Sequence, residues 1–531
     1  MMSLPTTGMQ PDAKRNRMLS MDMELRQSEH QSVRDLIDRQ AKEHAPRTFL
    51  IDTESGVELS FEELRSEAIA VSRFIQSHGV QAGQSVAFAM QNGRTCAVTL
   101  LGIMYGGYRA VAVNLVAGRD VIAYVLSHSD TKLILTQSEQ LPVIDEALAC
   151  DAFEGSAPEV QVVERYPEVA SSSVENFAIP AMTDDALLMY TSGTTGRPKG
   201  VVLSHSNVIA GGFNVGLGHE LTALDRALCV LPLYHINGLC VTILGPLVTA
   251  GSVVIPNRFS TSGFWRCIDK YQCTWFSVVP TQIAYLLRDA QTSVSRPWLR
   301  FGRSASAPLS PDVHEHFETQ FGVPLIETMG LTETAAQILS NPMPPGIRML
   351  GSPGLPVGDM ARIVDKSLVD VSVGQEGELL IRGNNVMTRY FKNEAATSEA
   401  LVQGNWLRTG DLARMDEQGY FFITGRLKEL IIKGGENIAP REIDDALYQH
   451  TDVVEAAAFA RPCAQFGQRV EAAVSLRSAS ALSESDLLRL CEERVGKFKC
   501  PDRIYFIAEL PKGPSGKIQR QKLLALVRTT Q

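Results

Sequence analysis

Short apolar runs rich in β-branched residues alternate with longer stretches of helical period along most of this chain. Ser85–Met90 (SVAFAM) precedes Thr95–Gly107 (TCAVTLLGIMYGG), and Ala110–Leu115 (AVAVNL) precedes Val121–Ser129 (VIAYVLSHS) and Lys132–Thr136 (KLILT). A second series runs through RALCVLPL, GSVVIP, FWRCIDKYQ, TWFSVVP and TQIAYLLRD, between Arg226 and Asp289. Strand-length runs alternating with helix-length ones predict βαβ units and a layered α/β domain. From Gly351 the texture changes to short strands and turns (GELLIRG, GYFFITG), which predicts a smaller β-rich subdomain. Beyond Gly425 a compact α+β pattern follows (EIDDALYQ, VVEAAAFA, VEAAVSL, DLLRLCEERV, RIYFIAEL), long enough for a separate domain. The segment GRLKEL, 425–430, is the candidate linker. The predicted layout is a tail over 1–30, a large multi-subdomain α/β domain over 31–427 and a small mobile lid domain over 428–531.

Length and composition narrow this picture without deciding it. At 531 residues and 44% hydrophobic, the chain exceeds one ordinary core. A formal charge of −9 gives no general attraction to nucleic acid or anionic membrane. Nine scattered Cys without a C-x-x-C pair argue against a disulfide framework or a zinc site and for a reducing, cytoplasmic setting. The first 30 residues contain no apolar core of a secretory signal. Leu239–Pro256 is uncharged and of membrane-span length, but its Gly, Pro, Thr and Ser breaks predict a buried helix, turn and strand.

The candidate chemistry starts at Leu187–Asn207, LLMYTSGTTGRPKGVVLSHSN. DALLMY and GVVL read as strands, so Thr191–Lys199 is a strand-to-strand loop and Ser204 caps a helix starting near His205. Gly193 and Gly196 permit tight turns with inward N–H groups; Thr191, Ser192, Thr194 and Thr195 add hydroxyl donors, and Lys199 adds a point charge. The pattern is suited to holding phosphate. It is not the P-loop of NTPases, because Gly200 stands where that loop needs a Mg²⁺-binding Ser or Thr.

YTSGTTGRPKGV resembles the signature loop of the adenylate-forming superfamily of acyl-CoA synthetases, peptide-synthetase adenylation domains and luciferases. Arg303–Leu309 (RSASAPL), Met329–Glu333 (MGLTE), Arg408–Asp411 (RTGD), Gly425–Pro440 (GRLKELIIKGGENIAP) and Pro511–Arg520 (PKGPSGKIQR) continue the resemblance in the family's order. The resemblance implies activation of a carboxylate by ATP to an acyl-adenylate, followed by transfer to a thiol. It implies Lys517 as the main adenylation catalyst, Thr332 at the α-phosphate and Glu333 as the Mg²⁺ carboxylate. It places Ser306, Ala307, Pro308, Met329 and Gly330 beside adenine and Asp411 and Arg426 at the ribose. Lys428 becomes the hinge of a rotating C-terminal domain, and Gly434 and Gly435 a passage for the pantetheine of coenzyme A. Lys497, Lys499 and Arg503 are candidate contacts of the CoA phosphates.

Within that superfamily, RSASAPLSPDV, ETMGLTETAAQILSNPMPP and FWRCIDKYQCTWFSVVPT are similar to the oxalyl-CoA synthetase branch. That branch implies a small dianionic acid. Asn237 replaces its second His, Ala305 a Cys, and Met329 the Tyr against adenine. These changes shift the expectation from oxalate to a related C2 anion, sulfoacetate, with oxalate and malonate close behind. His235, Asn237 and Arg303 are the expected donors to the acid, and His235 a catalytic gate. Two other readings stand beside this one: an enzyme that loads a carrier-protein thiol, and a catalytically dead nucleotide-binding regulator. Expected partners are thus the small acid, ATP, Mg²⁺ and CoA, with neither nucleic acid nor membrane, in a monomer or homodimer.

Overall fold

The computed structural model describes residues 31–167, 178–191, 197–288, 294–477, 480–513 and 518–529. The expected tail over 1–30 lies outside them. Two large sheets carry the first part of the chain. In the seven-stranded one the order is 389–390, 199–204, 185–191, 109–112, 85–89, 131–136 and 159–162. The nine-stranded one runs 355–356, 336–340, 325–331, 301–304, 275–278, 226–229, 252–255, 48–52 and 58–60. Their central strands are parallel, antiparallel pairs close both ends of the nine-stranded sheet and the 389–390 end of the other, and SVAFA over Ser85–Ala89 is buried at every position. Continuous apolar strands of this kind need cover on both faces.

The helices sort by pattern. Arg94–Tyr105 and His205–Gly218 are buried nearly all round, and with Val33–His44 and Phe61–Ser77 they fill the largest core, shared by both sheets. Amphipathic helices cover the outer faces: Thr261–Tyr271, Pro280–Arg288 and Pro311–Phe321 on one sheet, Arg119–His128 and Leu141–Leu148 on the other. Five layers result. Small residues let the inner helices close up, since a Cβ on Gly102 would lie 2.4 Å from Val71 Cβ. Ser204 caps His205–Gly218 in a reciprocal capping box with Asn207, as the sequence predicts. Leu239–Pro256 is indeed buried and broken, but its helical part, Asn237–Leu244, winds as a π-helix before a short α-helix at Gly245–Val248 and the strand Ser252–Ile255.

An antiparallel five-stranded sheet follows, from Met360–Val364 to Phe421–Arg426. After the 3-10 turn Leu427–Glu429 a fourth sheet, built on Val453–Cys463 paired with Gly467–Leu476, packs on Pro440–Leu447, Glu484–Lys499 and Arg520–Thr529. The layered α/β body, the β-rich subdomain and the smaller α+β unit are those expected. All nine Cys are free thiols, and among the described residues no helix is long and apolar enough to cross a membrane.

One buried acid ties the β-rich sheet to the inner layer. Asp359 accepts from Asn385 Nδ2 at 2.9 Å and Asn214 Nδ2 at 3.2 Å. Its Oδ1 and Asn385 Oδ1 are both buried without partners and both crowd the position a Cβ on Gly383 would take. A proton on Asp359 satisfies both oxygens, and burial pushes that carboxyl up to about 8, against ~3.9 in an unfolded chain. Between those values the folded chain holds a proton that the unfolded chain has lost, so stability falls as pH rises, by at most ~1.4 kcal/mol per unit. Asp359→Asn, whose amide donates to Asn385 at any pH, is expected to flatten the slope of Tm between pH 5 and 8 and to raise Tm at pH 8. An unchanged slope in differential scanning calorimetry contradicts the protonated pair.

Candidate active site

The C-terminal ends of the parallel strands, the hairpin and the third sheet open on one cavity of about 1620 Å³. Of the expected residues, Thr191, Lys199, His235, Asn237, Ser306, Gly330, Thr332, Glu333, Arg426 and Lys428 line it. Ser192, Gly193, Thr194, Thr195, Gly196 and Lys517 lie outside the described residues. Their flanks do not: Thr191 and Lys199 pair across the hairpin, Lys512 bridges Ile518, and Lys512 and Gly513 line the cavity. Both candidate loops therefore start at the same space.

Three distant segments meet where the glycine-rich hairpin enters the cavity. Lys199 Nζ sits 4.7 Å from the centre of the Tyr390 ring, and the Tyr390 hydroxyl donates to Glu333 Oε1 at 2.9 Å. Burial first, and then the neighbouring Glu333 charge, pushes the Tyr390 hydroxyl far above its usual range, so it remains a donor. The turn holding Glu333 is strained: Ala335 and Ala336 follow with φ of 43° and 94°. Such backbone persists where surroundings over-determine it. A Cβ on Gly330 would lie 1.6 Å from the Ala336 carbonyl oxygen, so only glycine fits that wall. Met329 precedes it in the strand Leu325–Leu331, at the bulge that offsets Gly330 from its partner strand.

Glu333 suits a Mg²⁺ held jointly with substrate phosphates, since that ion binds through one or two carboxylates and keeps several waters. Among the described residues no group of three or more His, Cys, Asp or Glu could hold a metal alone. With phosphates bound, the ion would supply charge neutralisation between them.

Asp411 and Arg426 stand directly opposite in paired strands, with Arg426 Nε donating to Asp411 Oδ1 at 2.6 Å. Arg426 lines the cavity and the carboxylate lies behind it, so a ribose contact through Asp411 requires Arg426 to yield that bond. Beside them Arg408 grips Glu378 at 2.7 and 2.9 Å.

The floor differs from expectation. Arg303, predicted to touch the acid, does not line the cavity; it is buried in the strand Phe301–Ser304, where burial lowers its pKa to about 9 and leaves it a cation at neutral pH. It donates to Asn237 Oδ1 at 2.8 Å, Ser277 Oγ at 3.1 Å and Gln337 Oε1 at 3.1 Å. Asn237 heads the π-helix, a distortion common at functional sites. Ala307 and Pro308 follow Ser306 in the loop after the Arg303 strand, outside the cavity wall. Gly434 and Gly435 form the turn of a hairpin, with φ of 61° and 89°, away from that wall. Lys499 pairs with Glu442 at 2.5 Å and Arg503 covers the Tyr505 ring, so neither is a bare cation; Lys497 is exposed.

Residues 37–391 match the family of AMP-binding enzymes, and 442–517 match the AMP-binding enzyme C-terminal domain. The chain belongs to the AMP-binding enzyme family. It is 45% identical over 493 residues to the sulfoacetate–CoA ligase of Cupriavidus necator, covering 92% of this chain and 96% of that one. It is 34% identical to the oxalate–CoA ligase of Arabidopsis thaliana, over 85% and 90% of the two chains. The solved structure of ATP-bound MatB from Rhodopseudomonas palustris superimposes with a TM-score of 0.85 at 26% identity, over 94% of this chain and 99% of that one.

Sequence reasoning missed Tyr390, Ser277 and Gln337. Tyr390 lies on a two-residue strand that pairs with Val201, and only a tertiary fold brings it to Glu333. Tyr390→Phe is expected to raise KM for ATP roughly tenfold by removing one hydrogen bond to a charged group. Tyr390→Ala, which also removes the ring beneath Lys199, is expected to cost more. Equal effects in a pyrophosphate-release assay would show that the ring does not position Lys199.

Proposed function

We propose that this acid–CoA ligase activates sulfoacetate, converting it with ATP and CoA to sulfoacetyl-CoA, AMP and pyrophosphate. The observation that carries the reading is the cavity itself, which joins a phosphate end at Lys199, Thr332 and Glu333 to a small polar floor at His235 and Asn237. That floor sits on a buried cation, so it favours a short acid bearing a second anion over an apolar chain. The 45% identity to a sulfoacetate–CoA ligase supports the same choice.

In the first half-reaction a carboxylate oxygen attacks the α-phosphorus and the bond to the bridging oxygen of pyrophosphate breaks. Lys199 and the hydroxyl-rich loop before it hold the leaving β- and γ-phosphates, and Thr332 meets the α-phosphate. Ala307, Pro308, Met329 and Gly330 border adenine, and Arg426 with Asp411 takes the ribose. Lys517 supplies the cation that stabilises charge at the α-phosphate and the attacking carboxylate. In the second half-reaction the CoA sulfur attacks the acyl carbon and AMP leaves. We assign residues 428–531 as the lid that turns between these steps about Lys428, bringing Gly434 and Gly435 to the pantetheine arm. Free CoA is the acceptor in preference to a carrier-protein thiol, in keeping with the CoA ligases among its relatives.

Pyrophosphate release over a panel of sulfoacetate, oxalate, malonate, acetate and hexanoate is expected to give the highest kcat/KM with sulfoacetate. Equal activity on hexanoate contradicts the dianion reading. Lys517→Ala is expected to abolish adenylation while sparing thioester formation from supplied acyl-AMP; loss of both would contradict its assigned role.

A further inference from the structure

The orientation of the Asn237 side chain is fixed from behind. Arg303 carries only donors, so the atom it meets at 2.8 Å is the Asn237 oxygen. Ser277 makes the same demand. Its Oγ accepts from Arg303 at 3.1 Å, and its own proton goes to Asn237 Oδ1 at 3.1 Å. Ser277 and Arg303 stand in register on adjacent parallel strands, which holds this pair rigidly. On its remaining side, Arg303 Nε is held by Gln337 Oε1, which also meets His219 Nε2 at 3.0 Å. Burial, with Arg303 nearby, keeps the His219 imidazole neutral, so it acts there as a donor.

With its oxygen committed inward, Asn237 presents its NH₂ group outward. One N–H reaches Ser306 Oγ at 3.2 Å, and the other has no partner among the described residues. Ser306 accepts that bond, which leaves its own hydroxyl proton to donate. Its backbone is locked in the left-handed region at φ 73°, costly for a non-glycine residue. Both side chains line the cavity. The floor is thus a pair of neutral donors, backed by a buried guanidinium that does not itself line the cavity. A bidentate arginine fork is the partner that suits a planar carboxylate, and here Arg303 Nε and Nη1 are both taken up by side-chain oxygens. A tetrahedral sulfonate spreads its charge over three oxygens and can accept from both neutral donors at once.

We propose that Asn237 and Ser306 are the donors that select a sulfonate over a carboxylate at the distal end of the acid, and that Arg303 is a positioning residue that sets the direction of the Asn237 amide. This rests on the reading of the chain as a sulfoacetate–CoA ligase. The expected roles change accordingly, with Ser306 moving from adenine to the acid and Arg303 from direct contact to support.

The test is ATP–pyrophosphate exchange by the full-length chain with sulfoacetate, malonate and acetate, for wild type, Asn237→Asp, Ser306→Ala, Arg303→Gln and Arg303→Lys. Asn237→Asp keeps an oxygen toward Arg303 and turns the outward group from donor to acceptor. It is expected to lower the ratio of kcat/KM for sulfoacetate to that for malonate roughly a hundredfold, with the loss in KM for sulfoacetate rather than for ATP. Ser306→Ala is expected to lower that ratio roughly tenfold. Arg303→Gln, which frees the amide to flip, is expected to lower it similarly, and Arg303→Lys to restore part of it. Melting temperatures separate loss of fold from loss of selectivity for the buried Arg303 variants, while Asn237→Asp and Ser306→Ala keep the test independent of them. If wild type does not prefer sulfoacetate, the substrate reading fails and takes the inference with it. If wild type prefers sulfoacetate but the four variants leave the ratio unchanged, the inference alone is overturned.

Discussion

The cavity depends on how closely the buried helix His205–Gly218 approaches the backbone around it. A Cβ on Gly211 would lie 2.2 Å from the Ala335 carbonyl oxygen, and one on Gly212 would lie 3.0 Å from the Leu244 carbonyl oxygen. The helix therefore rests on the strained turn that carries Thr332 and Glu333 and on the π-helix that starts at Asn237. Its N-terminus continues directly from the strand Lys199–Ser204, so the same rod anchors the phosphate-end lysine. One element buried between two sheets thereby sets the distances among the hairpin, the Glu333 turn and the Asn237 floor. The tight packing of interiors makes such contacts nearly incompressible, which explains why side chains remote in sequence can serve one reaction.

Electrostatics divides the cavity into two regimes. On the side of the glycine-rich hairpin and the third sheet, Lys199 and Arg426 are partly exposed and line the cavity themselves. At the Asn237 floor the cation is buried, and only dipoles held by it line the cavity. The second arrangement exchanges attraction for orientation: Arg303 Nε and Nη1 are held by Gln337, Asn237 and Ser277, and what lines the cavity is a fixed amide. A buried charge without such partners would be costly, so the network stabilises the fold as well as shaping the floor.

Much of this was legible in the sequence because it rests on local rules. Turn glycines between two strands, Ser204 before a helix, and fully apolar strands that must be parallel and covered all follow from short windows. The ordered motifs likewise brought Lys199, Thr332, Glu333 and Arg426 to one place. Arg303 was less legible. Its residue type promised an anion contact, but the direction of its fork depends on Ser277 in the neighbouring strand and Gln337 further along the chain. The π-helix was hidden because a run buried at every position has no periodicity to reveal its winding. Tyr390 was hidden because a two-residue edge strand leaves no pattern. The pairing of Asp411 with Arg426 comes from strand register and not from either motif.

The central claim is that the acid's own carboxylate oxygen attacks ATP at the α-phosphorus. Sulfoacetate labelled with ¹⁸O in its carboxylate, incubated with ATP, Mg²⁺ and CoA, tests this directly when the nucleotide product is weighed by mass spectrometry. The account predicts AMP carrying one ¹⁸O, with unlabelled pyrophosphate. Unlabelled AMP, or ADP with labelled phosphate, would contradict it.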